Sequence, residues 1–230
     1  MTTSNPLGPP VPSHPASLPE RNITFTGHHV TLTGLSLSHS PDLWDAVGGL
    51  DKAPLWDYMS DGPFASPDSL QAYLTTKSAS LDPVFYAIRL NQTGKVVGYA
   101  GLMKIDTLNR VIDVGPLMFS PTALQRTPAA TETQYLLARY AFETLGYRRY
   151  QWKCNSLNAP SRRAAERLGF RYEGTFRKDR ILKGRSRDTA WFSIVEEEWE
   201  GVKRALEGWL GEENFGPDGR QRRRLKEFRA

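Results

Sequence analysis

The most constraining feature of this sequence is the stretch Arg149 to Phe170, RYQWKCNSLNAPSRRAAERLGF. Its first seven residues alternate between polar and apolar side chains, and this pattern predicts a strand with one buried face. After a short polar break, Pro160 suits the first turn of a helix and Gly169 suits its end. A strand, a turn and a helix in this order place Asn158 and Ser161 at the helix N-terminus. Free backbone N–H groups and the positive end of the helix dipole meet there.

Composition excludes several classes of protein. With 230 residues and 39% apolar content, the chain supports one sizeable core, or a domain with tails. Its one cysteine excludes an intramolecular disulfide and a cysteine-rich zinc site, and no metal is predicted. No apolar run approaches the roughly 18 residues of a membrane span, and no secretory signal is visible, so we expect a cytoplasmic protein. The net charge of +5 favours anionic ligands without requiring nucleic acid.

Residue patterns divide the rest of the chain into strands, helices and two tails. Period-two alternation predicts strands over 29–37, 84–90, 95–103, 110–120, 171–175, 180–183 and 189–195. Apolar spacing and capping residues predict helices over 40–49, 66–78, 131–145 and 196–210. We expect one domain over 21–212, preceded by a disordered proline-rich arm over 1–20 and followed by a basic tail over 213–230.

The opening stretch carries a family resemblance. Its pattern W-K-C-N-x-x-N-x-P-S-x-x-A-A-x-R-x-G-F, followed by E-G-x-x-R, resembles the fifth strand and next helix of GNAT N-acetyltransferases, in particular the RimJ/RimL-like branch. The resemblance covers roughly Thr24 to Trp199 and is strongest from Arg110 onward. It implies an α/β (α+β) GNAT fold, whose mixed, mostly antiparallel central sheet is splayed between its fourth and fifth strands and flanked by helices. It also implies acetyl-CoA as co-substrate and a primary amine as acceptor.

The strand predicted over 110–120 contains Gly115-Pro116 in an otherwise apolar run. Proline cannot donate a hydrogen bond to a sheet ladder, so we expect a bulge or a splay in mid-strand. In the resembling family the strand parts from its neighbour here, and acetyl-CoA enters the gap. The resemblance then implies an oxyanion donor from the backbone N–H near Met118 or Phe119.

In the resembling family a loop with the pattern Gln/Arg-x-x-Gly-x-Gly/Ala binds the pyrophosphate of coenzyme A. This chain reads QRTPAA over 125–130, with Pro128 in the place of a glycine. Because Pro128 removes one amide donor, we expect an incomplete or reorganised phosphate site. Asn158 resembles the asparagine that binds the pantetheine arm, with a simple turn role as the alternative. The implied cofactor contacts are Met118, Phe119, Gln125, Arg126, Thr127, Ala129, Ala130, Thr131, Asn158 and Ser161.

Three side chains are candidates for the chemistry of acetyl transfer, which needs a base for the amine and a group that stabilises the leaving thiolate. Asp113 is the first candidate base, because relatives often carry a glutamate on this strand; a structural carboxylate is the alternative. Asp179 is the second, beside Arg180, which stands where RimL-like enzymes have their proposed base. Ser161 matches the serine that these enzymes use near the thiolate, with a helix cap as the alternative.

The acceptor is the least determined part of the prediction. Trp56 and Tyr58 lie in the loop that forms part of the acceptor wall in the family, and both could equally cover the core. The acceptor class stays open between a protein N-terminal α-amine, an amino acid and a small amine, and the enzyme could be a monomer or a homodimer. Two rival functions remain: a coenzyme A-binding protein without turnover, and a ribosome- or RNA-associated protein that uses the basic tail.

Overall fold

The computed structural model describes residues 5–229. Eight strands and five α-helices follow one another in those residues: β1 (Phe25–Thr26), β2 (Val30–Gly34), α1 (Ser40–Val47), α2 (Pro67–Ala79), β3 (Val84–Leu90), β4 (Val96–Asp106), β5 (Val111–Phe119), α3 (Pro128–Arg139), β6 (Arg149–Asn155), α4 (Ala159–Leu168), β7 (Arg171–Leu182), β8 (Arg185–Val195) and α5 (Glu196–Leu210). Short 3-10 helices lie at Leu37–His39, Leu50–Trp56, Glu212–Asn214 and Leu225–Phe228, and a π-helical turn lies at Tyr140–Thr144.

All eight strands form one sheet in the order β1-β2-β3-β4-β5-β6-β8-β7. Every neighbouring pair is antiparallel except β5 and β6, which are parallel. The predicted mixed, mostly antiparallel sheet is therefore confirmed. The strands predicted as fourth and fifth are β5 and β6, because the two-residue β1 precedes the first predicted strand.

The sheet opens between these two strands. They pair only over Val111–Val114 and Arg149–Trp152; beyond that point β5 pairs with β4 alone and β6 with β8 alone. Gly115 and Pro116 together oppose the single residue Gly101, which is the predicted bulge. A Cβ on Gly101 would lie 2.7 Å from the carbonyl oxygen of Gly115, so this close approach needs glycine.

The sheet separates two hydrophobic cores. On β3, Val84, Tyr86 and Ile88 belong to the larger core, under α3, α4 and α5, and Phe85 and Ala87 belong to the smaller core, under α1 and α2. Alternate side chains of a strand point to opposite faces, so the helices form a layer on each side. In the described part of the chain, the strand residues of the smaller core come from β3, β4 and β5. Among the described residues, no α-helix covers the same face of β6, β8 and β7.

Among the element boundaries that differ from the prediction, those of α3 and β7 have a clear physical cause. Helix α3 begins at Pro128, capped by Thr127, and not at Thr131. Proline at the first helical position costs no hydrogen bond, because first-turn N–H groups have no partner inside a helix. The segments predicted as separate strands over 171–175 and 180–183 form one strand, β7. A register shift between Phe176 and Arg180 bends this strand without ending it.

Parts of both predicted tails pack against the domain. Ala16 donates its N–H to Thr107 O at 2.9 Å, and Tyr86 donates its hydroxyl to Glu20 O at 2.8 Å. In the tail, Leu225 is 2% exposed and belongs to the larger core. Residues 1–4 of the predicted arm and residue 230 of the predicted tail lie outside the described residues. The division into arm, domain and tail stays a prediction. Within 5–229, no helix has the length and apolar character needed to span a bilayer.

Candidate active site

Backbone N–H groups of β5 line the opening between β5 and β6. Ser120 donates its N–H to Val97 O on β4 at 2.9 Å. Because N–H directions alternate along an antiparallel strand, the N–H of Met118 also points to β4. The N–H groups of Leu117 and Phe119 point the other way, into the opening. Of the two predicted donors, the geometry therefore favours Phe119 over Met118, and it adds Leu117. The sequence did not indicate Leu117, because which N–H groups face the opening depends on the strand register beyond the bulge.

The loop before α3 ends at a well-formed helix N-terminus. The Thr127 side-chain oxygen accepts the N–H of Ala130 at 3.3 Å and donates to Leu124 O at 2.7 Å. Arg126 has a left-handed φ of 65°, and the amide of Gln125 donates to the carbonyl oxygen of Phe119 at 2.9 Å. This bond links the loop before α3 to the strand that lines the opening.

An arginine of α4, Arg167, lies next to that helix N-terminus with its guanidinium packed between two neighbours. Arg167 of α4 donates to Thr131 Oγ1 at 2.9 Å, and its guanidinium lies 4.6 Å from the ring centroid of Trp209. Burial lowers the pKa of Arg167. Ala129 N–H has no hydrogen-bond partner among the described residues. A free amide and a nearby guanidinium suit an anionic group such as a pyrophosphate. Arg167 was not among the predicted site residues, although it is the arginine of the motif that carries the family resemblance.

The turn before α4 assigns separate roles to Asn158 and Ser161. The side-chain oxygen of Asn158 accepts the N–H of Ser161 at 3.1 Å, so Asn158 is the helix cap. The hydroxyl oxygen of Ser161 accepts the indole N–H of Trp152 at 3.0 Å. The cap was the alternative role for Ser161, and the structure gives that role to Asn158. Tyr58 donates its hydroxyl to Leu157 O at 3.3 Å, which connects the loop between α1 and α2 to this turn.

Asp113 and Lys153 form a buried ion pair beside the opening. The Lys153 Nζ lies 2.7 Å from Oδ2 of Asp113, whose side chain is 4% exposed. The other oxygen, Oδ1, is buried and has no partner among the described residues. Burial raises the pKa of Asp113, and the Lys153 ammonium opposes that rise. The Lys153 Nζ also lies 3.8 Å from the ring centroid of Trp191. Lys153 was not among the predicted site residues, although a lysine at a polar position of the alternating strand β6 was a signal for it.

The second candidate base, Asp179, is held in a polar network on the β7–β8 hairpin. Its Oδ2 accepts the Thr189 hydroxyl at 2.7 Å and the Nε of Arg180 at 3.2 Å. The Thr189 hydrogen bond, followed by Arg180, lowers the pKa of Asp179. A lower pKa makes a weaker base. Oδ2 of Asp179 is engaged by two donors, whereas Oδ1 of Asp113 has no partner among the described residues.

The structure separates the two aromatic residues expected at the acceptor wall. Trp56 is 0% exposed and donates its indole N–H to Val47 O at 3.0 Å. A fully buried ring offers no surface to a substrate. The predicted substrate contact of Trp56 is therefore wrong, and its ring packs in the core. Tyr58 is 37% exposed and remains available as a wall of the site. The sequence could not distinguish them because both lie in one irregular loop.

A sheet opened between two parallel strands, with main-chain donors at the opening and a helix N-terminus beside it, defines an acyl-CoA-dependent transferase. The family model described as "Acetyltransferase (GNAT) domain" matches residues 29–171, which is more than half of the chain. The chain therefore belongs to the GNAT acetyltransferase family, and the resemblance to its RimJ/RimL-like branch is confirmed. The protein is an acyltransferase, and acetyl-CoA is its acetyl donor.

Several relatives agree with this assignment. A crystal structure of a GCN5-related N-acetyltransferase from Brucella melitensis is 43% identical, with a TM-score of 0.91 over 94% of this chain and 97% of that chain. A GNAT-family structure from Chromobacterium violaceum is 34% identical, with a TM-score of 0.76 over 86% of this chain and 100% of that one. A Bacillus subtilis (strain 168) protein named "Putative ribosomal N-acetyltransferase YdaF" is 30% identical over 110 residues, which are 48% of this chain and 59% of that protein. This match therefore spans less than two thirds of YdaF.

Proposed function

We propose that this protein transfers the acetyl group of acetyl-CoA directly to a primary amine, with Asp113 as the base. One observation carries the proposal: Oδ1 of Asp113 is buried and without a partner among the described residues, beside the opening of the sheet. An unsatisfied buried carboxylate oxygen costs free energy unless a ligand or a water donates to it. An acceptor amine, or a water that relays its proton, fits that requirement.

Each remaining step falls to a group at the opening. Asp113 takes the proton that the amine loses as nitrogen attacks the thioester carbon. The N–H groups of Leu117 and Phe119 donate to the oxyanion that develops on the carbonyl oxygen. Ser161 donates a hydrogen bond to the departing sulphur and keeps its proton; the indole N–H of Trp152 occupies one lone pair of its oxygen and does not use the hydroxyl hydrogen. Acetyl-CoA supplies the activated acyl group, and no covalent acyl-enzyme is needed.

Proton affinity favours an α-amine over a lysine side chain as acceptor. At pH 7 an α-amine with a pKa near 7.8 costs about 1 kcal/mol to deprotonate, and a lysine with a pKa near 10.4 costs about 4.6 kcal/mol. Asp113 is already paired with Lys153, so it is a modest base, and the smaller cost suits it better. The name of YdaF, a ribosomal N-acetyltransferase, is a further reason to test polypeptide acceptors.

The test is a thiol-release assay with the purified protein across matched acceptors. One peptide has a free N-terminus and no lysine, its partner has a blocked N-terminus and one lysine, and amino acids and polyamines complete the panel. We expect the free N-terminus to be acetylated fastest. Calorimetry that shows no coenzyme A binding at millimolar concentration would contradict the proposal as a whole.

A coenzyme A-binding protein without turnover is the second candidate. The observation in its favour is the Asp113–Lys153 ion pair, because a carboxylate held by an ammonium is a poorer base. Coenzyme A binding in calorimetry, together with no thiol release from any acceptor, would establish this candidate.

A further inference from the structure

The β7–β8 hairpin carries a strong excess of positive charge. Between Arg171 and Asp188 there are seven Lys and Arg residues and three Asp and Glu residues. Some of these cations have partners: Arg180 pairs with Asp179 at 3.2 Å, and the Nζ of Lys183 donates to Trp56 O at 2.8 Å. Pairing therefore neutralises only part of the hairpin, and an anionic partner would be attracted to the rest.

Arg187 stands out among these cations because it is half-buried and lacks a carboxylate partner. Its Nε donates to Thr189 Oγ1 at 3.2 Å, and the Thr189 hydroxyl in turn donates to Asp179. Among the described residues, no Asp or Glu forms an ion pair with Arg187, and no hydrogen bond engages its two Nη atoms. Burial, reinforced by Arg180, lowers the pKa of Arg187. The guanidinium is therefore oriented by the hydrogen bond of Nε, and its two Nη atoms stay available to a ligand.

A cavity of about 690 Å³ lies at the bend of β7, lined by Phe176, Arg177, Lys178 and Asp179. It forms because three residues of β7, 177–179, oppose only Asp188 on β8. Its volume falls within the range of roughly 300–1,000 Å³ that is usual for ligand sites. Arg180 and the Thr189 hydroxyl both engage the Asp179 carboxylate, so the cations of the lining dominate the local field.

This cavity is continuous with the face that carries Asp113. Side chains of β6, β8 and β7 alternate, so Lys153, Trp191 and Phe176 lie on one face. The Phe176 ring lies 4.7 Å from the Trp191 ring, and Trp191 underlies Lys153, the partner of Asp113. These rings form an apolar floor from the candidate base to the cationic bend.

We propose that Arg187 and the cavity bind a carboxylate of the acceptor, so that the enzyme prefers polypeptide N-termini with an acidic residue near the start. The inference rests on the proposed N-acetyl transfer and names its substrate class. The distance across the sheet gives the position. The acceptor nitrogen attacks beside the oxyanion donor Leu117, which lies level with Thr189 and Phe176 when the β5–β6 register is continued. At that level three interstrand spacings separate β5 from β7, about 14 Å in all, and an extended peptide spans about 3.4 Å per residue. The acidic residue therefore falls at about the third to fifth position.

The experiment compares lysine-free peptides with Glu at position 4, Gln at position 4, Glu at position 10, and phosphoserine at position 4. Because a hydrogen bond to a charged group contributes about 1.5–3 kcal/mol, we expect kcat/KM for Glu at position 4 to exceed that for Gln by about 10- to 100-fold. The ratio should fall with added salt, and Glu at position 10 should behave like Gln. A phosphoserine peptide that outperforms Glu at position 4 would overturn the carboxylate assignment in favour of phosphorylated acceptors.

Matched variants locate the effect. R187Q should bring the Glu-to-Gln ratio close to one, and R187K should leave an intermediate ratio because an ammonium lacks the planar fork. R185Q, at an exposed residue of the same hairpin, should keep the wild-type ratio. Melting temperature and coenzyme A affinity check that each variant is folded. An unchanged ratio in folded R187Q would overturn the inference.

The two proposals fail in different ways. Equal rates for the Glu and Gln peptides would overturn this inference and leave N-acetyl transfer standing. Absence of transfer to every acceptor would overturn the proposed function. In that case, calorimetry with the same Glu and Gln peptides still decides whether Arg187 binds a carboxylate.

Discussion

The Nζ of Lys153 lies 2.7 Å from Oδ2 of Asp113, although strands β5 and β6 have already parted at Lys153. The ion pair therefore bridges the two strands at the point where their backbone ladder ends. It fixes one oxygen of the carboxylate and leaves the other free. A buried pair of this kind constrains any substitution, because removal of one partner leaves an uncompensated charge.

Replacement of Asp113 by asparagine tests the base. Asp113→Asn should lower kcat/KM by about 10²–10⁴, the usual contribution of general base catalysis. The loss should shrink as the pH rises towards the pKa of the acceptor amine, because free amine then forms without help. A pH–rate profile measures both effects. Wild-type rates at pH 7 in this variant would remove Asp113 from the mechanism and leave Asp179 as the candidate.

Replacement of Lys153 tests how the ion pair sets the working pH. Burial raises the pKa of Asp113, and the Lys153 ammonium opposes this rise. Lys153→Met removes the opposing charge, so the pKa of Asp113 should rise further. Since the base works as a carboxylate, the acid limb of kcat/KM should move to higher pH. Lys153→Arg keeps the charge and should leave the limb close to its original place. A limb that moves to lower pH in Lys153→Met would contradict this account.

Replacement of Ser161 tests the assistance to the leaving thiolate. Ser161→Ala should lower kcat by about 10- to 100-fold, the equivalent of one hydrogen bond to a charged group at roughly 1.5–3 kcal/mol. The loss should depend little on pH, because the hydroxyl does not titrate in the range. The control is Asn158→Ala, which removes the helix cap and should cost about 1 kcal/mol of stability. If kcat in Ser161→Ala equals that of the wild type, the serine has no part in the reaction.

A buried glutamate of α3 anchors the turn between β1 and β2. Glu132 is 6% exposed and accepts the N–H groups of His28, His29 and Val30 at 2.7, 2.7 and 2.9 Å. Glu132→Ala leaves three donors without this partner. The Val30 residue is buried, and an unsatisfied buried group costs about 1–3 kcal/mol, whereas water can reach the exposed His28. We expect a loss of about 1–3 kcal/mol in the free energy of unfolding, measured by urea denaturation. Glu132→Gln keeps one acceptor oxygen and should lose less stability than Glu132→Ala. Equal losses in the two variants would contradict a stabilising role of the acceptor oxygen.

Deletions of the N-terminal arm should separate its free part from its packed part. Removal of residues 1–14 should leave the melting temperature unchanged, because the hydrogen bonds of the arm to the domain begin at Ala16 in the part of the chain that the structure describes. Removal of residues 1–20 deprives the buried Tyr86 hydroxyl of its acceptor, Glu20 O, at about 1–3 kcal/mol. A loss of about 2–4 °C per kcal/mol is expected for a chain of this size. Equal melting temperatures for the two deletions would show that the arm is not packed in solution.

Local patterns predicted the parts of this molecule that depend on neighbours in sequence. The alternation around Trp152 predicted the buried face of β6, and Gly115-Pro116 predicted the bulge, because each is a property of a few consecutive residues. The partner of Asp113 was not predictable in this way. The contact with Lys153 depends on a parallel register between strands that are separated by a whole helix. The same limit applied to Trp56, whose burial depends on how an irregular loop folds back on the smaller core.

The opening in the sheet has a consequence for the stability of the enzyme. Only four residue pairs join β5 to β6, so the sheet consists of two half-sheets with a short seam. A pantetheine arm in the opening would accept hydrogen bonds from β5 where a neighbouring strand would normally do so, and would serve as a removable ninth strand. Amide hydrogens of Leu117 and Phe119 should then exchange with solvent readily in the free protein and slowly with coenzyme A bound. Bound coenzyme A adds RT ln(1 + [L]/Kd) to the free energy of unfolding, so the cellular supply of the acetyl donor also sets how firmly the two half-sheets hold together.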